Sequence, residues 1–246
     1  MKNLGLVSIS FRSLSPERIL EETKKAGLSV IEWGSDVHAP CDNTENLTEI
    51  VRLQNKYGIS CCSYGTYFRL GVNDTEELQK YIDAAKILGT DILRLWCGNK
   101  ASTEYSPEDE RLLFEECKKA SFIAEENGVT LCMECHNGTY TDSRDTAIKL
   151  MKTVDSPSFR MYWQPNQFTS AEENLKYARL LSSFTKVIHV FNWTQDKRFP
   201  LSEAVPFWKE YLSFFNKDQT LLLEFMPDDD IDSLKTEAKS LRKIAE

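Results

Sequence analysis

The feature of this sequence that most constrains its fold is a regular alternation of short apolar segments with longer amphipathic ones. Runs of Val, Ile and Leu that are only a few residues long are typical of buried parallel strands. We predict eight strands, at residues 4–10, 30–34, 59–64, 92–97, 129–135, 160–163, 187–193 and 221–225. Each is followed by a segment that predicts a helix, at residues 16–27, 44–57, 74–88, 106–127, 142–153, 170–181, 201–215 and 231–245.

Cap residues support these helix boundaries. Ser15 is a natural N-cap, and Pro16 suits the first position of the helix that follows it. Glycines stand where four of the helices are expected to stop, at positions 27, 58, 89 and 128.

Strands that alternate with helices predict parallel β-α-β units with right-handed crossovers. Eight such units in 246 residues match the size and repeat number of a closed (β/α)8 TIM barrel. The rival is an open doubly wound sheet, but the glycine-rich dinucleotide turn that often marks that class does not occur. The sequence has no linker or low-complexity stretch, so we expect residues 1–246 to form a single barrel domain.

Composition limits the partners. The net charge of −8 and the lack of a basic run argue against nucleic acid and against an anionic membrane surface. No apolar run approaches a membrane span and no signal-peptide core is visible, so we expect a cytoplasmic protein. No exposed apolar stripe is distinctive enough to predict an oligomer.

Seven cysteines, an odd number, indicate a reduced protein. Cys132 and Cys135 have the spacing of a redox or zinc pair. Positions three apart on a strand point to opposite faces, however, so we interpret both as structural thiols.

Polar residues end four consecutive strands, at the edge where barrel enzymes carry their active sites. They are Glu134, Gln164, His189 and Glu224. A carboxylate at the inner end of an apolar strand must be paired or bound to a metal, and we expect no Lys or Arg at these strand ends to pair with it. One divalent cation would satisfy both glutamates. Such an oxygen-rich set with one imidazole suits Mn²⁺, Mg²⁺ or Co²⁺, and Zn²⁺ is also compatible.

The sequence resembles the sugar phosphate isomerase/epimerase family, which has the xylose-isomerase-like barrel. The resemblance covers essentially the whole chain and lies in the segments 30–38, 134–139, 163–166, 189–193 and 222–224. The family places Glu, Asp, His and Glu metal ligands at strands five to eight. Glu134, His189 and Glu224 match this set, whereas Gln164 replaces the aspartate and removes one negative charge.

The resemblance implies a proton transfer next to the carbonyl of a keto or aldo sugar or a related polyol, with Glu134 and Glu224 as the acid–base pair. Site residues are also expected among strand-end side chains that could contact the carbohydrate. These are His136, His38, Arg198, Trp33 and Trp193, with Trp96 and Trp163 as further candidates for apolar walls.

Two alternatives remain open, and a third, the nuclease, is disfavoured. Inosose and dehydroshikimate dehydratases use the same barrel and begin with the same proton abstraction. The Gln164 substitution favours a non-catalytic sugar-binding barrel with a degraded metal site. The nuclease branch of the family, endonuclease IV, needs a histidine-rich site, and this chain has only three histidines.

Overall fold

Eight parallel strands close into a barrel in the computed structural model, which describes residues 3–246. The strands are β1 (Leu4–Val7), β2 (Val30–Gly34), β3 (Ser60–Leu70), β4 (Ile92–Cys97), β5 (Thr130–Glu134), β6 (Phe159–Trp163), β7 (Thr185–Val190) and β10 (Thr220–Leu223). Two short antiparallel strands, β8 (Trp193–Thr194) and β9 (Lys197–Arg198), form a hairpin after β7. The predicted (β/α)8 fold is confirmed.

Eight helices surround the barrel. They are α1 (Pro16–Lys25), α2 (Thr44–Tyr57), α3 (Leu78–Leu88), α4 (Pro107–Asn127), α5 (Arg144–Val154), α6 (Ala171–Leu181), α7 (Val205–Leu212) and α8 (Leu234–Ala245). Side-chain oxygens of Ser15, Ser106 and Ser170 cap α1, α4 and α6 as N-caps. No helix within residues 3–246 is long and apolar enough to cross a membrane.

The departures from the predicted strands are largest at the upper edge of the barrel, where β3 continues to Leu70 instead of ending at residue 64. β1 stops at Val7, and residues Ser8–Phe11 form a 3₁₀ turn. Ser8 Oγ accepts a hydrogen bond from the backbone N–H of Gly34, and Ser10 Oγ accepts one from that of Phe225. The two hydroxyl groups therefore satisfy backbone N–H groups at the upper ends of β2 and β10, beyond the point where β1 stops.

The inside of the barrel has two layers. The lower layer is apolar and contains Val30, Cys132, Val187 and Leu222. Successive strand residues alternate between the two faces of the sheet, so the next inward position on each strand is two residues further on. There the side chains of the same four strands are charged or polar. Cys135 packs instead with the cluster between barrel and helices, so Cys132 and Cys135 diverge as predicted, and both are free thiols.

Closure of the barrel depends on close packing at Gly5, where β1 pairs with both β10 and β2. A Cβ atom at Gly5 would lie 2.3 Å from the carbonyl oxygen of Val30 and 2.7 Å from Leu222 Cδ2. We expect Gly5→Ala to lower the free energy of unfolding by about 3 kcal/mol. The control Gly128→Ala, with φ of +67° and no atom within 4 Å, should cost only about 1 kcal/mol. Urea denaturation checks this, and equal losses would contradict it.

Candidate active site

The structure brings together the four residues at the ends of strands five to eight. Glu134 is the last residue of β5, and His189 is the penultimate residue of β7. Gln164 and Glu224 directly follow β6 and β10. All four side chains are buried at the same end of the barrel, in its polar upper layer.

Three oxygen atoms surround one nitrogen of His189. Its Nδ1 lies 3.0 Å from Gln164 Oε1, and 3.4 Å from both Glu134 Oε1 and Glu224 Oε2. Ligand atoms of the two glutamates and the histidine all lie within 4.8 Å of one another.

The amide of Gln164 has a defined orientation. Its Nε2 donates a hydrogen bond of 3.0 Å to the carbonyl oxygen of Cys135. Because the nitrogen is held by the backbone, the Oε1 atom faces His189 and the two glutamates. Gln164 therefore presents an oxygen donor to the cluster, as an aspartate would, but without its charge.

A buried arginine overturns the expectation that no cation lies close to these glutamates. Arg94, in the middle of β4, is 2% exposed and donates from Nη1 to Glu134 Oε2 at 2.5 Å. Its Nε donates to Glu32 Oε1 at 3.0 Å. Trp96 Nε1 also donates to Glu134 Oε2. Strand pairing explains this, because β4 is next to β5 in the barrel and Arg94 is the neighbour of Cys132, two residues before Glu134.

The charges in this cluster shift one another's pKa values. Burial raises the pKa of Glu134, but Arg94 and His189 outweigh it, so the pKa lies below the usual value. The same opposing effects leave the pKa of Glu32 at about 2. Burial lowers the pKa of His189, but Glu224, Glu134 and Glu32 outweigh it and raise the pKa to about 10. For Glu224, burial and the charge of Glu134 prevail and raise the pKa.

The donor set fits one divalent cation. Donor atoms bonded at about 2.1 Å to one ion lie about 3.0 Å apart in octahedral and about 3.4 Å apart in tetrahedral coordination. The separations around His189 Nδ1 fall at these two values. With a neutral imidazole, the carboxylates of Glu32, Glu134 and Glu224 and the guanidinium of Arg94 leave a net charge of −2, which one divalent ion balances.

Glu134, Gln164, Glu224 and Arg94 of this cluster line a cavity of about 250 Å³. Of the residues predicted to contact a carbohydrate, His136 and Trp193 line this cavity. The His136 ring packs on Trp96, a further wall residue, with 4.8 Å between ring centroids. The rest of the cavity wall is formed by Ile9, Arg12, Tyr67, Asn137, Gln167, Phe191 and Phe225.

Trp33 and His38 lie outside this cavity, and here the structure corrects the expectation. Trp33 follows Glu32 on β2, so it points outward to the helices, where its Nε1 donates to Gln54 Oε1 at 2.8 Å. Trp163 likewise points outward and packs on Trp208. His38 is 4% exposed, and its Nδ1 lies 3.1 Å from Ser8 Oγ.

Arg198 lies next to the cavity but not in its wall. Its guanidinium packs over the rings of Trp193 and Phe225, at 5.0 and 4.4 Å from their centroids, and pairs with Asp229. It lines a neighbouring open cleft together with Arg12 and Phe225.

Sequence reasoning missed Glu32 and Arg94 because it considered only the residues at the ends of apolar runs. A usable signal was present. Each is a charged residue inside a run of apolar ones, in Val30-Ile-Glu-Trp33 and Ile92-Leu-Arg-Leu95. A buried charge of this kind needs a partner of opposite sign.

Residues 20–244 match the family model described as the xylose isomerase-like TIM barrel. The chain belongs to this family. A comparison of this sequence with curated proteins found no match.

Several solved structures share the fold. The probable 3-DHS dehydratase AsbF of Bacillus anthracis is 16% identical with a TM-score of 0.82, covering 98% of this chain and 99% of that one. D-psicose 3-epimerase of Clostridium cellulolyticum H10 is 15% identical with a TM-score of 0.72, covering 98% and 97%. A xylose isomerase-like protein of Mycobacterium smegmatis in complex with magnesium is 13% identical with a TM-score of 0.73, covering 100% and 97%. At these identities the likeness shows the fold alone.

The buried charges predict how the stability of the metal-free protein depends on pH. The pKa of Glu32, about 2, is below its usual 4.5, so its contribution is present above pH 4.5 and lost as the pH falls towards 2. The pKa of His189, about 10, is above its usual 6.5, so its contribution is present below pH 6.5 and lost as the pH rises towards 10. The contributions of Glu32 and His189 are therefore both fully present between about pH 4.5 and 6.5.

Urea unfolding in the presence of a chelator measures this dependence. Between pH 7 and 9 the wild type should lose up to about 1.4 kcal/mol per pH unit. His189→Gln should be less stable overall but should lose most of this alkaline slope. An unchanged slope in the variant would show that His189 is not the group responsible.

Proposed function

We propose that this chain is a divalent-metal-dependent enzyme that removes a proton from the carbon next to a carbonyl in a small polyhydroxylated compound, such as a sugar. The observation that carries this proposal is the convergence of Glu134, Gln164 and Glu224, which line a cavity, on one nitrogen of the fully buried His189. The cavity walls combine aromatic faces with polar groups, a mixture that suits the C–H and O–H groups of a carbohydrate.

These four residues would hold Mn²⁺, Mg²⁺ or Co²⁺, with Zn²⁺ also compatible. When bound, the metal supplies Lewis acidity that polarises the carbonyl and stabilises negative charge as the proton leaves. The neighbour in complex with magnesium is consistent with an oxygen-rich site in this barrel.

The two glutamates are not equivalent, and the difference favours Glu224 as the base. One oxygen of Glu134 already accepts hydrogen bonds from both Arg94 and Trp96, which hold this carboxylate in place and keep it ionised. Within residues 3–246, the carboxylate of Glu224 has only His189 as an ion-pair partner, and it lines the cavity. A carboxylate with few hydrogen bonds can accept and release a proton more readily.

Two fates of the deprotonated substrate are compatible with this site. Return of the proton gives an isomerase or epimerase, and epimerisation needs a group on each face of the substrate. Loss of a neighbouring hydroxyl gives a dehydratase, which needs one base to start the reaction. The unequal glutamates favour the dehydratase over the epimerase, and sugar isomerisation by one base remains the other candidate.

The metal requirement can be tested by titrating the chelator-treated protein with Mn²⁺ in a calorimeter. We expect affinity in the micromolar range, rising about tenfold per pH unit between pH 7 and 9 because binding displaces the proton on His189. Gln164→Asp restores a charged ligand and should tighten binding about tenfold. No binding at millimolar Mn²⁺ would instead support a non-catalytic sugar-binding barrel.

The reaction can be tested by incubating the Mn²⁺-loaded protein in D₂O with keto-sugars, inososes, dehydroshikimate and sugar phosphates. NMR would show deuterium next to the carbonyl for reprotonation, or a new alkene signal for dehydration. Glu224→Gln should slow either reaction at least about 1,000-fold. Glu134→Gln should also abolish turnover, but through weaker metal binding.

Glu237→Gln is the matched control, since this buried glutamate on α8 accepts a hydrogen bond from the backbone N–H of Leu201, outside the cavity. It should leave the rate unchanged. Full activity in Glu224→Gln would overturn its assignment as the base.

A further inference from the structure

Glu32 is fully buried and does not line the cavity, yet it contacts groups from three other strands. It accepts hydrogen bonds from Ser63 Oγ on β3 at 2.9 Å and from Arg94 Nε on β4 at 3.0 Å. Its Oε1 lies 3.6 Å from His189 Nε2 on β7, across the barrel. Glu32 therefore contacts both Arg94, which holds Glu134, and His189, on the other side of the barrel.

The two nitrogens of His189 face different surroundings. Nδ1 faces the three oxygen donors of Gln164, Glu134 and Glu224. Nε2 is buried and has no hydrogen-bond partner within residues 3–246, and Glu32 Oε1 is the carboxylate oxygen beside it. Three oxygens cannot share a lone pair with Nδ1, so they are matched to it only with a cation between them, and the ring hydrogen is then on Nε2, beside the carboxylate of Glu32.

A second connection runs through Arg94. The guanidinium bridges Glu32 and one oxygen of Glu134, so the position of Glu32 also sets the position of Glu134. The Glu32–Arg94 pair packs tightly against the backbone at Gly65. A Cβ atom at Gly65 would lie 2.5 Å from Glu32 Oε1 and 2.8 Å from Arg94 Nη2, so a side chain at this position would displace the Glu32–Arg94 pair.

We propose that Glu32 is the positioning residue of the site. In the metal-bound site it would hold the hydrogen of His189 on Nε2, so that the Nδ1 lone pair is directed to the metal among Glu134, Gln164 and Glu224, and it fixes Glu134 through Arg94. This inference rests on the metal site proposed above. It assigns Glu32 no contact with substrate and no part in proton transfer.

Glu32→Gln keeps the shape of the side chain and removes its charge. We expect the Mn²⁺ affinity measured by calorimetry to fall about 10- to 100-fold, because the imidazole loses its orienting acceptor. Glu237→Gln, the control at a buried glutamate outside the cavity, should bind Mn²⁺ as the wild type does. Glu32→Asp keeps the charge that balances Arg94 but withdraws the oxygen from His189. It tests the same point if Glu32→Gln fails to fold, and should also bind more weakly than the wild type.

A second measurement reports on His189 directly. In Zn²⁺-loaded protein labelled with ¹⁵N-histidine, NMR should show the His189 ring hydrogen on Nε2, exchanging slowly with solvent, and Nδ1 without a hydrogen. Exchange should be faster in Glu32→Gln. A ring hydrogen on Nδ1 in the wild type would overturn the proposal.

The outcomes separate the two proposals. A wild type that binds neither Mn²⁺ nor Zn²⁺ would overturn both the proposed function and the role of Glu32. Metal binding by the wild type with unchanged affinity in Glu32→Gln and Glu32→Asp would overturn only the role of Glu32.

Discussion

The site depends on a buried ion-pair network in which Arg94 lies between Glu32 and Glu134. Removing one member of such a network leaves an unpaired charge in a low-dielectric interior, which costs more than the loss of a surface ion pair. The network also determines local geometry. It orients one oxygen of Glu134 away from His189 and leaves the other facing it.

The barrel can hold this network because its interior changes character along the strand axis. The lower layer, with Val30, Cys132, Val187 and Leu222, is apolar and excludes water. The upper layer contains the charged side chains one inward position further along each strand. Burial of charged side chains in the upper layer is unfavourable unless their charges are balanced. The apolar lower layer and the contacts between strands and helices supply the folding free energy that offsets this cost.

The environment of each carboxylate matters more for the chemistry than its identity. Glu134 and Glu224 occupy equivalent strand ends, but only Glu134 receives hydrogen bonds from Arg94 and Trp96. Solved structures with this fold include an epimerase and a probable dehydratase. Different partners around two strand-end carboxylates offer a physical route by which one fold can support several reactions.

The sequence by itself determined the eight strand–helix units and the four polar residues at the ends of β5, β6, β7 and β10. Both follow from local patterns, namely short apolar runs, amphipathic segments with helix caps, and the polar residues that end the runs. The upper ends of β1, β3 and β7 were misplaced by several residues. At β1 the residues after the strand use their side chains instead, since Ser8 and Ser10 accept hydrogen bonds from backbone N–H groups of distant residues.

Only the tertiary structure decided which residues share the site with these four. Arg94 meets Glu134 and Glu32 because their strands are close neighbours in the barrel wall, whereas Glu32 meets His189 across the interior. Trp33 was expected at the cavity and lies on the outer face, since it is adjacent to an inward residue on a strand. Partners of this kind are far apart in the chain, so local sequence patterns carry no record of them, and closure of the barrel brings them into contact.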